Sequence, residues 1–243
     1  MLKINNFNKI IVGNWKLNGS SAFLEEFMAD FTNTKLNSNT CAVICPPVIY
    51  LNQINSILHP FHIGSQDCSN YDEGAFTGEI SALMLKEDNC QFCLVGHSER
   101  RQMFGQTNAD VMIKSENLIK NKINPIICVG ETIDEKKAGN TKVVLYEQIS
   151  KGLPKTASVD NLIIAYEPVW AIGTGLTPSL DDINNIHYFL KKKIRNHENY
   201  KIIYGGSVKP DNVNEIMDLE HVDGVLVGGS SLNSKDFKKI LQA

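Results

Sequence analysis

Long apolar runs are missing from this sequence: nowhere do 18 consecutive residues lack a polar side chain, which excludes an ordinary membrane-spanning helix. Met1-Leu2-Lys3-Ile4-Asn5-Asn6 has no apolar core of the signal-peptide kind. A cytoplasmic location is therefore expected. Blocks of one charge are missing too. The 24 basic and 27 acidic residues are interspersed and leave a formal charge of -3, so no nucleic-acid surface is expected, whereas a small anion can still be held locally. Linkers, low-complexity tracts and Pro/Gly-rich hinges are absent, and 243 residues at 42% hydrophobic suffice for one barrel that uses the whole chain, 1–243.

Cysteine is present, but not in a disulfide or metal pattern. Of Cys41, Cys45, Cys68, Cys90, Cys93 and Cys128, four lie in or beside apolar strand-like segments, as reduced, buried thiols do. Cys90-Gln91-Phe92-Cys93 has the spacing of half a zinc site, yet no second Cys or His pair is near it in sequence. No metal and no cofactor are expected.

What the chain does have is repetition. Eight short apolar segments recur, at Ile10 to Gly13, Cys41 to Cys45, His62 to Ser65, Phe92 to Gly96, Pro125 to Val129, Leu162 to Tyr166, Lys201 to Tyr204 and Gly224 to Val227. Each has the length and composition of a strand buried on both faces. The intervals accommodate crossover helices. Two of these helices announce their inner faces by steps of three and four residues, Leu51, Ile54 and Leu58 in one, Ile183, Ile186, Leu190 and Ile194 in the other. Ser179 and Asp182 form a capping-box-like start for the second, just after Pro178. Eight βα units predict an α/β fold, a single closed (β/α)8 barrel.

In such a barrel all strands point one way, so residues at their C-terminal ends meet at one mouth. The first strand delivers Asn14 and Lys16, the fourth His97 and Glu99, the sixth Glu167, and the seventh and eighth the turns Gly205-Gly206-Ser207 and Gly228-Gly229-Ser230. Two glycine-rich turns after the last two strands suit a phosphate, because backbone N–H groups hold the anion only where side chains leave room, and Gly173 can add a third arm. Glu167 opens a segment, Pro168 to Gly175, that has the glycines of a mobile cover. A carboxylate among apolar neighbours under such a cover suits a base better than an ion pair.

Lys16 has two chemical readings, an electrostatic one beside the phosphate and a Schiff-base one. The electrostatic role is favoured, because a facing phosphate raises a lysine pKa that a nucleophile needs lowered. His59, His62, His187, His197 and His221 read as structural. His97 ends a strand at the start of a helix, whose dipole disfavours an imidazolium, so a neutral ring is expected. Glu99 either caps that helix or bonds Lys16. A base, a neutral electrophile, a fixed cation and a phosphate cradle suit proton abstraction beside a carbonyl, through an enediolate. An aldolase using Lys16 and a phosphosugar-binding protein without turnover are the alternatives.

Asn14 to Gly19, Gly74 to Glu79, Gly96 to Arg101, Glu167 to Gly175, Tyr204 to Ser207 and Val227 to Gly229 together, in order along the chain, closely resemble the triosephosphate isomerase family. The resemblance implies a homodimeric barrel that interconverts dihydroxyacetone phosphate and glyceraldehyde 3-phosphate in glycolysis and gluconeogenesis. It implies Glu167 as the base, His97 as the neutral electrophile, a pairing already known for that family, and Asn14 with Lys16 as the substrate-binding pair. By the same resemblance Gly173, Ser207, Gly228 and Gly229 contact phosphate, Trp170 anchors the cover through Glu131, and Tyr204 latches it when closed. The segment from Gln66 to Glu79 resembles a loop that inserts into a partner subunit, with Thr77 reaching its active site. Two departures stand out: Leu176-Thr177-Pro178 where the family carries Lys-Thr-Ala, which is expected to restrict the hinge, and Asp67 where it carries Asn, which is expected to place a charge near the interface loop.

Overall fold

The structure is a computed structural model that describes residues 1–55, 60–173, 176–194 and 199–243. Leu58, His59, Gly175 and His197 therefore lie outside the described residues.

Eight parallel strands close into a barrel in sequence order: β1 (Lys9–Asn14), β2 (Thr40–Cys45), β3 (His62–Ser65), β4 (Phe92–Val95), β5 (Asn124–Val129), β6 (Ile163–Tyr166), β7 (Lys201–Tyr204) and β8 (Gly224–Val227). β8 returns to β1 through Ile10↔Gly224 and Gly13↔Val227, which closes the ring. The eight apolar segments and the eight strands correspond one to one, with ends shifted by a residue or so. Gly96 falls outside β4 because its φ of +70° cannot continue a strand.

Why the strands read as unbroken apolar runs follows from the core. Alternate residues face opposite ways, and both directions are dry. Ile10 and Val12 point into the barrel with Cys41, Val43, Cys45, Leu94 and Cys128, while Ile11 points outward to the helices with Ala42 and Ile44. Ile4, fully buried in a single 3-10 turn before β1, joins the inner set. That role has no signal in the sequence. All six cysteines are buried free thiols, and burial pushes Cys41 and Cys90 up to about 12, Cys90 with help from Asp88.

The helices around the ring are α1 (Ser21–Ala29), α2 (Leu51–Asn55), α3 (Ala82–Glu87), α4 (Ser98–Phe104), α5 (Asn108–Lys120), α6 (Ile133–Lys137), α7 (Thr141–Gly152), α8 (Leu180–Lys193), α9 (Val213–Met217) and α10 (Ser234–Leu241). Ile183 and Leu190 in α8 and Ile194 just after it are buried and Ile186 is half-buried, as the periodicity predicts; His187 is buried beside them. Ser179 caps α8 by accepting from the Asp182 N–H at 3.1 Å. The reciprocal bond of a full capping box is made at Thr107 with Asp110 and at Thr132 with Glu135; at α8 only the Ser179 half is present among the described residues.

Candidate active site

The C-terminal ends of the strands open on a cleft of about 310 Å³. Asn14, Lys16, His97, Glu167, Gly173, Ser207, Gly228 and Gly229 all line it, although up to 215 positions separate them in sequence. Sequence reasoning did not single out Asn18, Ile172, Lys209 and Leu232, which also line it. Three lie on loops and Leu232 ends a short 3-10 turn, where no periodicity marks a residue's direction.

Lys16 follows β1 with a φ of +53°, a left-handed backbone that a lysine adopts only when its surroundings hold it there. Three hydrogen bonds do so. Its N–H donates to Asn14 Oδ1 at 3.1 Å, its carbonyl accepts from Gln66 Nε2 at 2.8 Å, and its Nζ donates to Glu99 Oε1 at 2.5 Å. Lys16 is thereby held at the cleft by its neighbours. Glu99 takes the Lys16 partnership rather than the helix cap. The cap of α4 is His97 itself, whose Nδ1 accepts the Glu99 N–H at 3.2 Å.

That bond fixes the imidazole. With a lone pair on Nδ1, the ring carries its proton on Nε2, which lies 3.1 Å from Glu167 Oε1. Burial pulls the His97 pKa down, the Glu167 charge and hydrogen bond together with Glu99 push it up, and the net direction is upward. A carboxylate in direct contact thus acts on the ring in the direction opposite to the positive end of the helix that His97 caps. The tautomer, a neutral ring donating from Nε2, is the one the Nδ1 contact requires.

Glu167 is almost fully buried at 2% exposure. Its N–H donates to Val129 O at 2.7 Å, which extends the β6 ladder by one step and sets the direction of the side chain. Oε2 accepts the Ser98 N–H at 3.3 Å. A Cβ at Gly205 would come within 2.8 Å of Glu167 Cγ, so glycine there gives the carboxylate room. In this form, then, the carboxylate is parked against His97 and the start of α4.

The cover begins with a 3-10 turn, Val169–Ala171, whose first N–H donates to Glu131 O at 3.1 Å. Trp170 Nε1 donates to Glu131 Oε1 at 2.9 Å, the bond the resemblance implies, and Lys136 Nζ stands 3.6 Å from the centre of the Trp170 ring. Glu131 also accepts from the Tyr166 hydroxyl at 3.3 Å, and burial raises its pKa against the pull of these donors. Gly173, at φ +69°, lines the cleft beyond the turn. Pro178 is buried beside the α8 cap, while Leu176 and Thr177 are exposed. Tyr204 is buried below, its hydroxyl without a hydrogen bond among the described residues, and burial pushes its pKa up.

Thr77 lies outside the cleft, exposed on the segment after β3. The charge expected of Asp67 is not loose there. Arg100 Nη2 at 2.8 Å and Lys114 Nζ at 2.9 Å neutralise it within the chain. Among the described residues no cluster of three or more His, Cys, Asp or Glu could hold a metal ion.

Fold and mouth together define the class: a (β/α)8-barrel enzyme with its polar cleft at the C-terminal strand ends. The family model described as triosephosphate isomerase matches residues 9–243. Proteins named triosephosphate isomerase from Francisella tularensis subsp. novicida (strain U112) and Rhizobium meliloti (strain 1021) are 40% and 42% identical to it over 243 residues, covering 96% of this chain and 96% and 95% of theirs. A crystal structure of triosephosphate isomerase from Bartonella henselae superposes with a TM-score of 0.86 at 36% identity, covering 96% of this chain and 98% of that one. The chain belongs to the triosephosphate isomerase family.

Proposed function

We propose that this chain interconverts dihydroxyacetone phosphate and D-glyceraldehyde 3-phosphate, with Glu167 moving the proton between the two carbons through an enediolate. The observation that carries the reading is the convergence of Glu167, His97, Lys16 and two glycine-rich turns on one 310 Å³ cleft. His97 donates from Nε2 to the substrate oxygen that gains charge. Lys16, already held as a cation by Glu99, adds a fixed positive field. The electrostatic role of Lys16 is supported over the Schiff base by that ion pair, since a nucleophilic amine must be neutral. Asn14 orients the Lys16 backbone, and Gly173, Ser207, Gly228 and Gly229 surround the phosphate end.

Substrate takes the place of Glu167 beside His97 Nε2, and the carboxylate swings toward the carbon, past Gly205. Closure of the cover brings Gly173 to the phosphate and gives the Tyr204 hydroxyl a partner, while Trp170 and Glu131 hold the cover's near end. Excluding water protects the enediolate from losing its phosphate. No cofactor is called for, and one barrel domain, 1–243, carries the reaction.

The protein acts as a homodimer in the cytoplasm on this reading. Ile49, Tyr71, Phe76, Met103 and Phe104 are exposed, at 76, 51, 39, 72 and 66%, and residues 71–79 of the Gln66 to Glu79 segment are mostly exposed, with Tyr71 and Phe76 stacked 3.6 Å apart. A second copy burying that segment would bring Thr77 to its partner's cleft. No described helix is long and apolar enough to cross a membrane.

A coupled assay following glyceraldehyde 3-phosphate tests the reading directly. Glu167→Asp draws the carboxylate back by about an ångström and is expected to cut kcat on the order of a hundredfold with the fold intact. A fully active variant removes Glu167 from the role of base. Failure to trap a covalent adduct with borohydride is expected, and a trapped adduct on Lys16 would revive the aldolase alternative.

A further inference from the structure

The turn that delivers His97 is held from outside the cleft. Gly96 is fixed at both peptide groups, its N–H donating to Gln106 Oε1 at 2.8 Å and its carbonyl accepting from Arg101 Nε at 2.7 Å. Gln106 in turn donates from Nε2 to Asp67 Oδ1 at 3.2 Å. The Asp67 carboxylate receives Lys114 Nζ on both oxygens at 2.9 Å and Arg100 Nη2 on Oδ2 at 2.8 Å. Asp67 thus spans the base of the 68–79 segment, α4, α5 and, through one amide, the residue before His97.

In this chain a carboxylate at position 67 removes an ambiguity from that amide. Both Asp67 oxygens are acceptors only, so the Gln106 side chain has one acceptable orientation, Nε2 toward Asp67 and Oε1 toward the Gly96 N–H. A neutral amide at position 67 lifts this constraint. It can offer its own N–H groups to Gln106 Oε1, which leaves Gln106 Nε2 facing the Gly96 N–H, donor against donor. The Lys114 side chain, only 7% exposed, loses its counter-charge in the same change.

We propose that Asp67 is a positioning residue for the reaction: its carboxylate orients Gln106, which sets the Gly96 turn and the reach of His97, and ties that reach to the 68–79 segment. The proposal rests on the reading of His97 as the group that polarises the substrate. Asp67 acts on the same turn from the far side.

Two single variants and one exchange test it in the full-length protein. Gln106→Leu cuts the arm to Gly96 and keeps the ion pairs; Asp67→Asn removes the charge. The double change Asp67→Asn with Gln106→Glu returns one negative charge to the cluster and an acceptor to the Gly96 N–H. kcat and KM are measured where sedimentation gives each variant the wild-type mass, together with the nitrogen chemical shifts of the His97 ring. Each single variant is expected to lose about tenfold in kcat with KM within about twofold, and to shift the His97 nitrogens, as a sub-ångström displacement of the electrophile would. The double variant is expected to regain most of the loss. Wild-type kcat in either single variant, a loss that vanishes when the protein is concentrated, unchanged His97 shifts, or a double variant no better than the singles overturns the proposal. His97→Gln run in parallel separates the two ideas. If it is active, the reading of His97 falls; if it is inactive while Gln106→Leu is normal, only the role of Asp67 falls.

Discussion

The His97 turn and the cover that follows Glu167 border the same cleft, and they are built differently. Around the turn the groups that hold His97 already have their partners: Gly96 at both ends of its peptide, His97 Nδ1 on a backbone N–H, Glu99 on Lys16, Asp67 on two cations. The cover is clasped at its start, by Trp170 on Glu131 and Lys136 over the indole, and again at Ser179 where α8 begins. Between the clasps Leu176 and Thr177 are exposed, and the buried Tyr204 has a hydroxyl without a hydrogen bond among the described residues. Electrostatic catalysis wants its dipoles fixed before substrate arrives, whereas a cover must exchange partners to let substrate in. The site divides its labour accordingly.

Changes on the two sides should therefore separate into those that damage fold and rate together and those that touch motion alone. The largest effect is expected from Gly96→Ala. Its φ of +70° and the approach of a Cβ to Val111 Cγ2 at 2.6 Å and Arg101 Nη2 at 2.8 Å should cost about 3 kcal/mol in urea unfolding, with a clear fall in kcat. An alanine variant with normal kcat would mean that the turn is not the rigid element claimed.

Next in size is an acid sensitivity under the cover. His187 is fully buried between Tyr166 and Tyr204, its ring centre 5.9 and 6.4 Å from theirs, and burial, then Lys191, lowers its pKa to about 3. The unfolded chain protonates this histidine below its ordinary 6.5 while the folded chain does not, so the unfolded state binds the extra proton. The stability it contributes is complete above 6.5 and is lost as pH falls toward 3, at about 1.4 kcal/mol per pH unit, or about 2 kcal/mol by pH 5. The stability difference between wild type and His187→Gln should shrink along that slope; parallel curves would show that the folded protein admits the proton.

Smaller effects belong to the cover itself. Trp170→Phe removes the donor to the buried Glu131 and is expected to lower stability by about 1.5 kcal/mol, read from denaturant midpoints. Pro178→Ala is expected to cost only about 0.5 kcal/mol, through the entropy of the unfolded chain, while speeding the opening of the cover. Temperature-jump relaxation on the Trp170 fluorescence, with buried Trp15 as the unchanging background, would follow that motion. Relaxation no faster than wild type would show that Pro178 does not restrict the hinge.

Much of this molecule was legible as text because its barrel imposes a repeating pattern. A strand dry on both faces must be apolar without alternation, and eight such runs separated by helix-length intervals have few ways to close. The strand ends then name Asn14, Lys16, His97 and Glu167, since parallel strands aim their last residues at one mouth. The support behind them was not legible. Gln106 lies 39 positions from Asp67, Lys114 lies 47, and Glu99 lies 83 from Lys16; nothing local in the sequence marks such pairs. The charge at Asp67 looked like an intruder near an interface loop, and only its neighbours make it a hub. The helix start marks one influence on the His97 ring; the opposing one, the Glu167 carboxylate, is on a residue 70 positions away.

By itself the sequence determined the closed barrel and the groups that face the cleft, because hydrophobic period, strand polarity and glycine placement are properties of neighbouring residues; the family came from the resemblance of six motifs in order. Only the tertiary structure decided how those groups are held: the tautomer of His97, the pairing of Lys16 with Glu99, the parked carboxylate of Glu167 and the cluster around Asp67. Each depends on distances between residues far apart in the chain, and hydrogen bonds and charges act over those distances, not along the sequence.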